Sequence, residues 1–168
     1  MRRKPVLVAL ALLAVIGAGV LIWRVFFPGD ETRIIRTLEA AADALEISAG
    51  ESPAAALAKI HRLELRLDDK VDVQLRFNRR TYTGGYERRE AMTGLAALRK
   101  TGVTLKVKLS DFNVTVRNDT AHVEAAATVE GRNNGGDISL QEDLDVDLVR
   151  RDGEWLISKI AIRNFMEK

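Results

Sequence analysis

The sequence predicts an α+β domain carried behind an N-terminal transmembrane helix, and three observations predict it. An uncharged apolar run extends from Val6 to Trp23 behind the basic cluster Arg2, Arg3 and Lys4. Between residues 31 and 100, apolar residues recur mostly at helical spacing. From Val103 to Ile162 they alternate with a period of two. Helices followed by a run of long antiparallel strands form two layers, with the helices packed on one face of a curved sheet.

The 18 residues from Val6 to Trp23 span about 27 Å as a helix, enough to cross the hydrocarbon core of a bilayer. A basic flank stays cytoplasmic. Residues 1–29 are therefore expected to be a cytoplasmic tip and anchor, with membrane contact through residues 6–27. Residues 30–168 become one domain outside a single-pass inner membrane, in the periplasm or beyond. The other reading of the N-terminus is a cleaved secretory signal. The run is longer than an ordinary signal core, and Trp23-Arg24 suits an interfacial belt with a snorkelling cation. Ile16-Gly17-Ala18 is a poor cleavage site, and with no cysteine in the chain no lipid-modified cysteine is available.

Residues 30–168 are long enough to bury one core. Without cysteine, that core stands on packing alone. The overall charge of +2 misleads, because four of the 26 basic residues precede Asp30, leaving 22 against 24 acidic ones. A slightly acidic domain is not a nucleic-acid binder, which needs concentrated positive charge.

Taken in order, Pro28-Gly29-Asp30 breaks the membrane helix, and Asp30 is placed to cap the next one. Ile34, Leu38, Ala41, Ala42 and Leu45 then give that helix one apolar face. Ser52-Pro53 reads as N-cap and first turn of a short second helix carrying Leu57 and Ile60. Leu63, Leu65 and Leu67, then Val71, Val73, Leu75 and Phe77, alternate around Asp68-Asp69-Lys70, as a hairpin or one long bent strand. Thr83-Gly84-Gly85 is a break. A third helix runs from Glu87 to Lys100 through Met92, Leu95 and Leu98, with Gly102 placed to end it. In the strand that follows, the phase slips at Ser110-Asp111, which predicts a bulge. Turns are expected at Asn118-Asp119, at Asn133 to Gly136, and at Asp152-Gly153.

With this element order, the helix opening Arg89-Glu90-Ala91-Met92 and the closing Asp152-Gly153-Glu154-Trp155-Leu156-Ile157, the chain resembles the nuclear transport factor 2-like superfamily. This is the cystatin-like fold shared with SnoaL-type polyketide cyclases and ketosteroid isomerases. The resemblance covers about residues 31–163. It implies a cone-shaped domain of about three helices on a curved, mainly antiparallel sheet, often with a pocket between the layers. In the isomerases a carboxylate base acts there with a tyrosine and a second acid as oxyanion donors. A singly anchored, exported domain of this kind also resembles, in topology, the periplasmic assembly subunit of type IV secretion systems.

Glu142 is the candidate for such a pocket, because it interrupts Ile138, Leu140, Leu144 and Val146 on their own face. A carboxylate among apolar neighbours acquires the raised pKa that a catalytic acid or base needs. The alternative is a position at a strand bend that reaches solvent. Tyr82 and Tyr86 flank Gly84-Gly85 and are candidates to line the pocket mouth, or to be amphipathic rim residues. His61 suits the C-terminal end of the second helix, and His122 falls on the polar face of its strand. Two histidines without a spacing relation predict no metal site and no cofactor.

Asp143, Asp145 and Asp147 lie on one strand face without the wrapping loop of a calcium site. They predict a solvated face, paired with Lys106 and Lys108 if those strands are neighbours. Arg79-Arg80 and Arg88-Arg89 read as surface clusters. Asn113-Val114-Thr115 and Asn118-Asp119-Thr120 match the short glycosylation pattern.

Taken together, the residues predict an anchored binding or assembly-accessory domain without catalytic activity. Its expected partners are the membrane and a protein of the cell envelope, with a homodimer as a further possibility. The alternatives are an isomerase- or cyclase-like enzyme with Glu142 as base, and a secretion-system assembly subunit.

Overall fold

Helix α1, Asp30–Leu45, forms because Ile34, Leu38, Ala41 and Ala44 share one stripe, and that stripe is buried. The computed structural model describes residues 29–77, 80–133 and 135–163, apart from the side chains of 75–82. The expected membrane run therefore lies outside the described residues. Among those described, no helix is long and apolar enough to cross a membrane. Gly29, not Asp30, occupies the N-cap, and no side chain caps the helix. Asp30 is instead its first residue, where an acid suits the helix dipole and where its carboxylate is free to bind elsewhere.

Helix α2, Pro53–Glu64, starts as its sequence predicts, with Ser52 Oγ accepting a hydrogen bond from the Ala55 amide at 3.2 Å. Two expectations fail along it. Leu57 is 67% exposed rather than part of the core. Leu63 belongs to the helix end, not to a strand, and Leu65 is its exposed C-cap. Ile60 and Leu63 lie three residues apart and share the inward face, so the alternation of Leu63, Leu65 and Leu67 spans a helix end by coincidence.

Strand β1, Leu67–Phe77, runs straight through Asp68-Asp69-Lys70, so the long strand replaces the alternative hairpin. Its bend is an irregularity against β6 between Leu67 and Asp72. Strand β2, Arg80–Glu87, pairs back on β1 with Val71 opposite Tyr86. Thr83-Gly84-Gly85 is therefore not a break but part of the strand. Gly84, at φ +148°, supplies the conformational freedom there.

Helix α3, Arg88–Arg99, opens with a reciprocal capping box between Glu87 and Glu90. It buries Met92 and Leu95. Gly102, at φ +73°, turns the chain into β3, Thr104–Arg117. The phase slip is a bulge between Ser110 and Asn113, with Asp111 at φ +54°. Strands β4 (Thr120–Asn133), β5 (Gly136–Arg151) and β6 (Glu154–Ile162) follow through the expected turns, with Asn118 and Asp152 at positive φ.

The six strands form one sheet in the order β2-β1-β6-β5-β4-β3, antiparallel except for the pair β1 and β6. Its inner face packs Val123, Val146, Leu148, Trp155 and Ile157 against Ile34, Leu38 and Leu63 of the helices. Gly131 is required where β4 passes β3, because a Cβ there would sit 2.1 Å from the Thr104 carbonyl oxygen. Beside it, the chain after α1 bridges to β3 through reciprocal bonds between Ile47 and Leu105, at 2.8 and 2.9 Å.

The strand order corrects one pairing. Strand β5 lies between β4 and β6, so Lys106 and Lys108 of β3 face Glu130 and Thr128 of β4, not the aspartate row.

Candidate functional site

The polar groups of the domain converge on the outer face of the sheet, opposite the helices. Alternation on β4 buries Ala121, Val123 and Ala125 and turns His122 and Glu124 outward. On β5 it buries Val146 and Leu148 and turns Asp145 and Asp147 outward. The β4–β5 register then sets His122 opposite Asp147 and Glu124 opposite Asp145.

The resulting contacts are specific. His122 Nδ1 lies 2.7 Å from Asp147 Oδ1. A carboxylate on that nitrogen selects the tautomer with its proton on Nδ1 and leaves Nε2 free. His122 Nε2 lies 3.9 Å from Asp145 Oδ1. Asn113 donates to Glu124 Oε2 at 2.8 Å, which leaves Glu124 Oε1 pointing at the same space. Arg163, just past β6, reaches Glu124 Oε1 at 2.9 Å and Asp145 Oδ1 at 3.1 Å. Its hydrogen bond to Asp145 raises the Arg163 pKa above its ordinary value. Beside this cluster, an open groove of about 540 Å³ is lined by Thr115, Arg117, Thr120, His122, Asp147 and Ser158.

The inner side differs in chemistry. The space beneath the helices holds an aliphatic cluster closed by Trp155. Among the described residues, Thr37 and Asp68 are buried polar residues, and the side chains of Glu51 and Arg99 are buried against each other. Asp68 is held by Arg151 at 2.7 and 2.9 Å and by the Asp69 amide at 3.0 Å. The Arg151 hydrogen bond, more than any other cause, lowers its pKa below the ordinary carboxylate value.

Glu142 has the inward phase that its sequence neighbours imply, opposite the buried Ala127, yet it is exposed. Strand β6 pairs with β5 as far as Ile162 opposite Leu144, two residues short of Glu142. Tyr86 is half-buried on β2, at the far edge of the sheet. Three strand intervals separate β2 from β5, roughly 14 Å along the sheet. The register does not bring Glu142 and Tyr86 together, and the Tyr82 side chain lies outside the described residues. His61, in the last turn of α2, is exposed and 3.5 Å from Glu64.

The row that the structure does assemble was within reach of the sequence. Once the turn is placed between Asn133 and Gly136, counting outward in step reaches Glu124 with Asp145 and His122 with Asp147. This pairing follows from β4 and β5 forming one hairpin in fixed register.

No protein-family model matches the sequence, and no curated protein matches it. Solved structures do resemble it. A protein of Kribbella flavida superposes with a TM-score of 0.66 at 16% identity, covering 79% of this chain and 88% of that one. A Nostoc punctiforme protein of unknown function with a cystatin-like fold gives 0.57 at 13% identity, over 79% and 89%. A Streptomyces avermitilis protein, described as a candidate dehydratase of the nuclear transport factor 2-like family, gives 0.59 at 12% identity, over 79% and 94%. The chain has the cystatin-like, nuclear transport factor 2-like fold. At these identities the likeness speaks for fold and not for activity.

Proposed function

We propose that residues 30–168 form a binding or assembly-accessory domain of the cell envelope, held at the inner membrane by residues 6–27 and working without catalysis. The observation that carries this reading is the distribution of polarity. The volume beneath the helices, where an enzyme of this fold would hold its substrate, is packed with aliphatic side chains and Trp155. Ionisable groups gather instead on the outer face of the sheet, where a macromolecular partner has access. Glu142, the candidate base of the enzyme alternative, is exposed and stands apart from Tyr86. The anchor rests on the basic flank and the length of the apolar run.

Two measurements test the proposal. Fractionation and N-terminal sequencing of the mature protein should find it in the membrane with residue 1 or 2 as its start. A start near residue 20 overturns the anchor. Complementation of a deletion strain should survive Glu142→Gln and Tyr86→Phe, and should fail when charge is reversed across the outer face with Asp145→Lys. If Glu142→Gln folds and localises normally but fails to complement, the isomerase- or cyclase-like alternative replaces the binding one.

A further inference from the structure

The cluster on the outer face carries an inference that goes beyond the binding reading and does not depend on it. We propose that His122, Glu124 and Asp145 hold one divalent transition-metal ion of the zinc or cobalt type, with Asp147 and Asn113 orienting the ligands and Arg163 occupying the position until an ion displaces it.

The donor set is the first argument. One nitrogen or oxygen from each of the three residues lies within 4.8 Å of the others. Around a tetrahedral zinc ion, ligand atoms at about 2.1 Å stand on the order of 3.4 Å from one another. The observed spacing exceeds this by at most about 1.4 Å.

Orientation is the second. A histidine that binds metal through one ring nitrogen usually donates the other to a carboxylate, which fixes the ring and raises its basicity. His122 has this arrangement, with Asp147 on Nδ1 and Nε2 facing Asp145. Glu124 is held in the same way, its Oε2 engaged by Asn113 and its Oε1 turned to the common point.

The third argument is the backbone beneath. The four residues are the corners of a rectangle on two hydrogen-bonded strands, an H-x-E segment facing a D-x-D segment. Such positions are far more rigid than a loop. Arg163 already bridges Glu124 Oε1 and Asp145 Oδ1, so these carboxylates converge on one cation position. An imidazole with two carboxylates suits zinc, cobalt or nickel. It does not suit calcium, which takes six to eight oxygens. The His122 side chain is 48% exposed, so the ion exchanges with solvent and keeps water in its remaining positions.

The test uses the untagged full-length protein in detergent, stripped with chelator and titrated with Co²⁺ by visible absorption and with Zn²⁺ by calorimetry. One ion per chain should bind saturably, with Zn²⁺ displacing Co²⁺ and millimolar Ca²⁺ competing with neither. His122→Ala should abolish binding while leaving the thermal melt in place, and His61→Ala should not affect it. Asp147→Asn should weaken binding about 10–100-fold, as loss of an orienting partner does. Arg163→Ala should tighten it by removing the competing cation. No saturable binding, or binding that survives His122→Ala in a folded protein or is lost with His61→Ala, overturns the proposal.

Discussion

Trp155 donates its indole N–H to Oδ1 of Asp30 at 3.2 Å, across 125 residues of sequence. The indole is 1% exposed, and Arg150 lies over its ring at 5.1 Å while contacting both oxygens of the same carboxylate at 3.2 and 3.3 Å. The first residue of α1 thereby fastens the helix to the closing hairpin of the sheet. Asp30→Ala leaves a buried indole N–H without its acceptor, which costs about 1–3 kcal/mol. Asp30→Asn keeps an acceptor oxygen and should recover part of that loss. Urea unfolding of the two variants checks this, and equal midpoints for wild type and Asp30→Ala would show that the bond contributes nothing.

The crossing of β4 and β3 depends on the absence of a side chain at residue 131. A methyl group there meets the Thr104 carbonyl, a backbone atom that moves only if β3 moves with it. Gly131→Ala should therefore destabilise the domain by about 1–3 kcal/mol. Hydrogen exchange should locate the damage at Leu105 and Ile47, whose reciprocal bonds lie beside the contact. Unchanged protection of both amides would contradict this account.

Acid stability rests on two carboxylates that are better paired in the folded chain than in the unfolded one. Lys59 binds Glu51 Oε1 at 2.7 Å and Arg99 binds Oε2, and the Lys59 hydrogen bond is the largest influence lowering the Glu51 pKa. Asp68 is lowered chiefly by Arg151. A folded-state pKa below the unfolded one gives stability that is complete above the unfolded value, about 4, and is lost as pH falls through the folded value. Thermal melts should hold steady near neutrality and fall as the pH drops below about 4. Replacing Asp68 by Asn should lower stability at neutral pH and flatten the acid limb. A variant with the same acid limb as wild type would remove Asp68 from the explanation.

Glu142 makes a contrasting case. Because it is exposed and its opposite neighbour is Ala127, Glu142→Gln should change stability by no more than about 0.5 kcal/mol. Its biological role should persist as well. Loss of a general base instead removes about 10²-fold or more of the rate. Complementation scored alongside the unfolding midpoint separates the two, since a stable variant without function would mark Glu142 as a chemical group.

Local signals in the chain were strong enough to determine much of this protein. Ser52-Pro53 specified a helix start because cap and first turn are local chemistry. The phase slip at Ser110-Asp111 pointed to a bulge because one extra residue in a strand shifts its alternation by one. Turn residues at 118, 133–136 and 152–153 set the long hairpins, and with them the fold class. Tertiary structure decided what depends on strand order and on where layers end. Strand order puts Arg163, just past β6, against Asp145 and keeps Lys106 and Lys108 of β3 away from the aspartates of β5. Glu142 is exposed although its phase along β5 is that of a core residue. Asp30 is the first helical residue rather than the cap, and Trp155 and Arg150, brought from the other end of the chain, bind its carboxylate. Periodicity reports which side of an element a residue faces, whereas strand order and cover decide what it meets there.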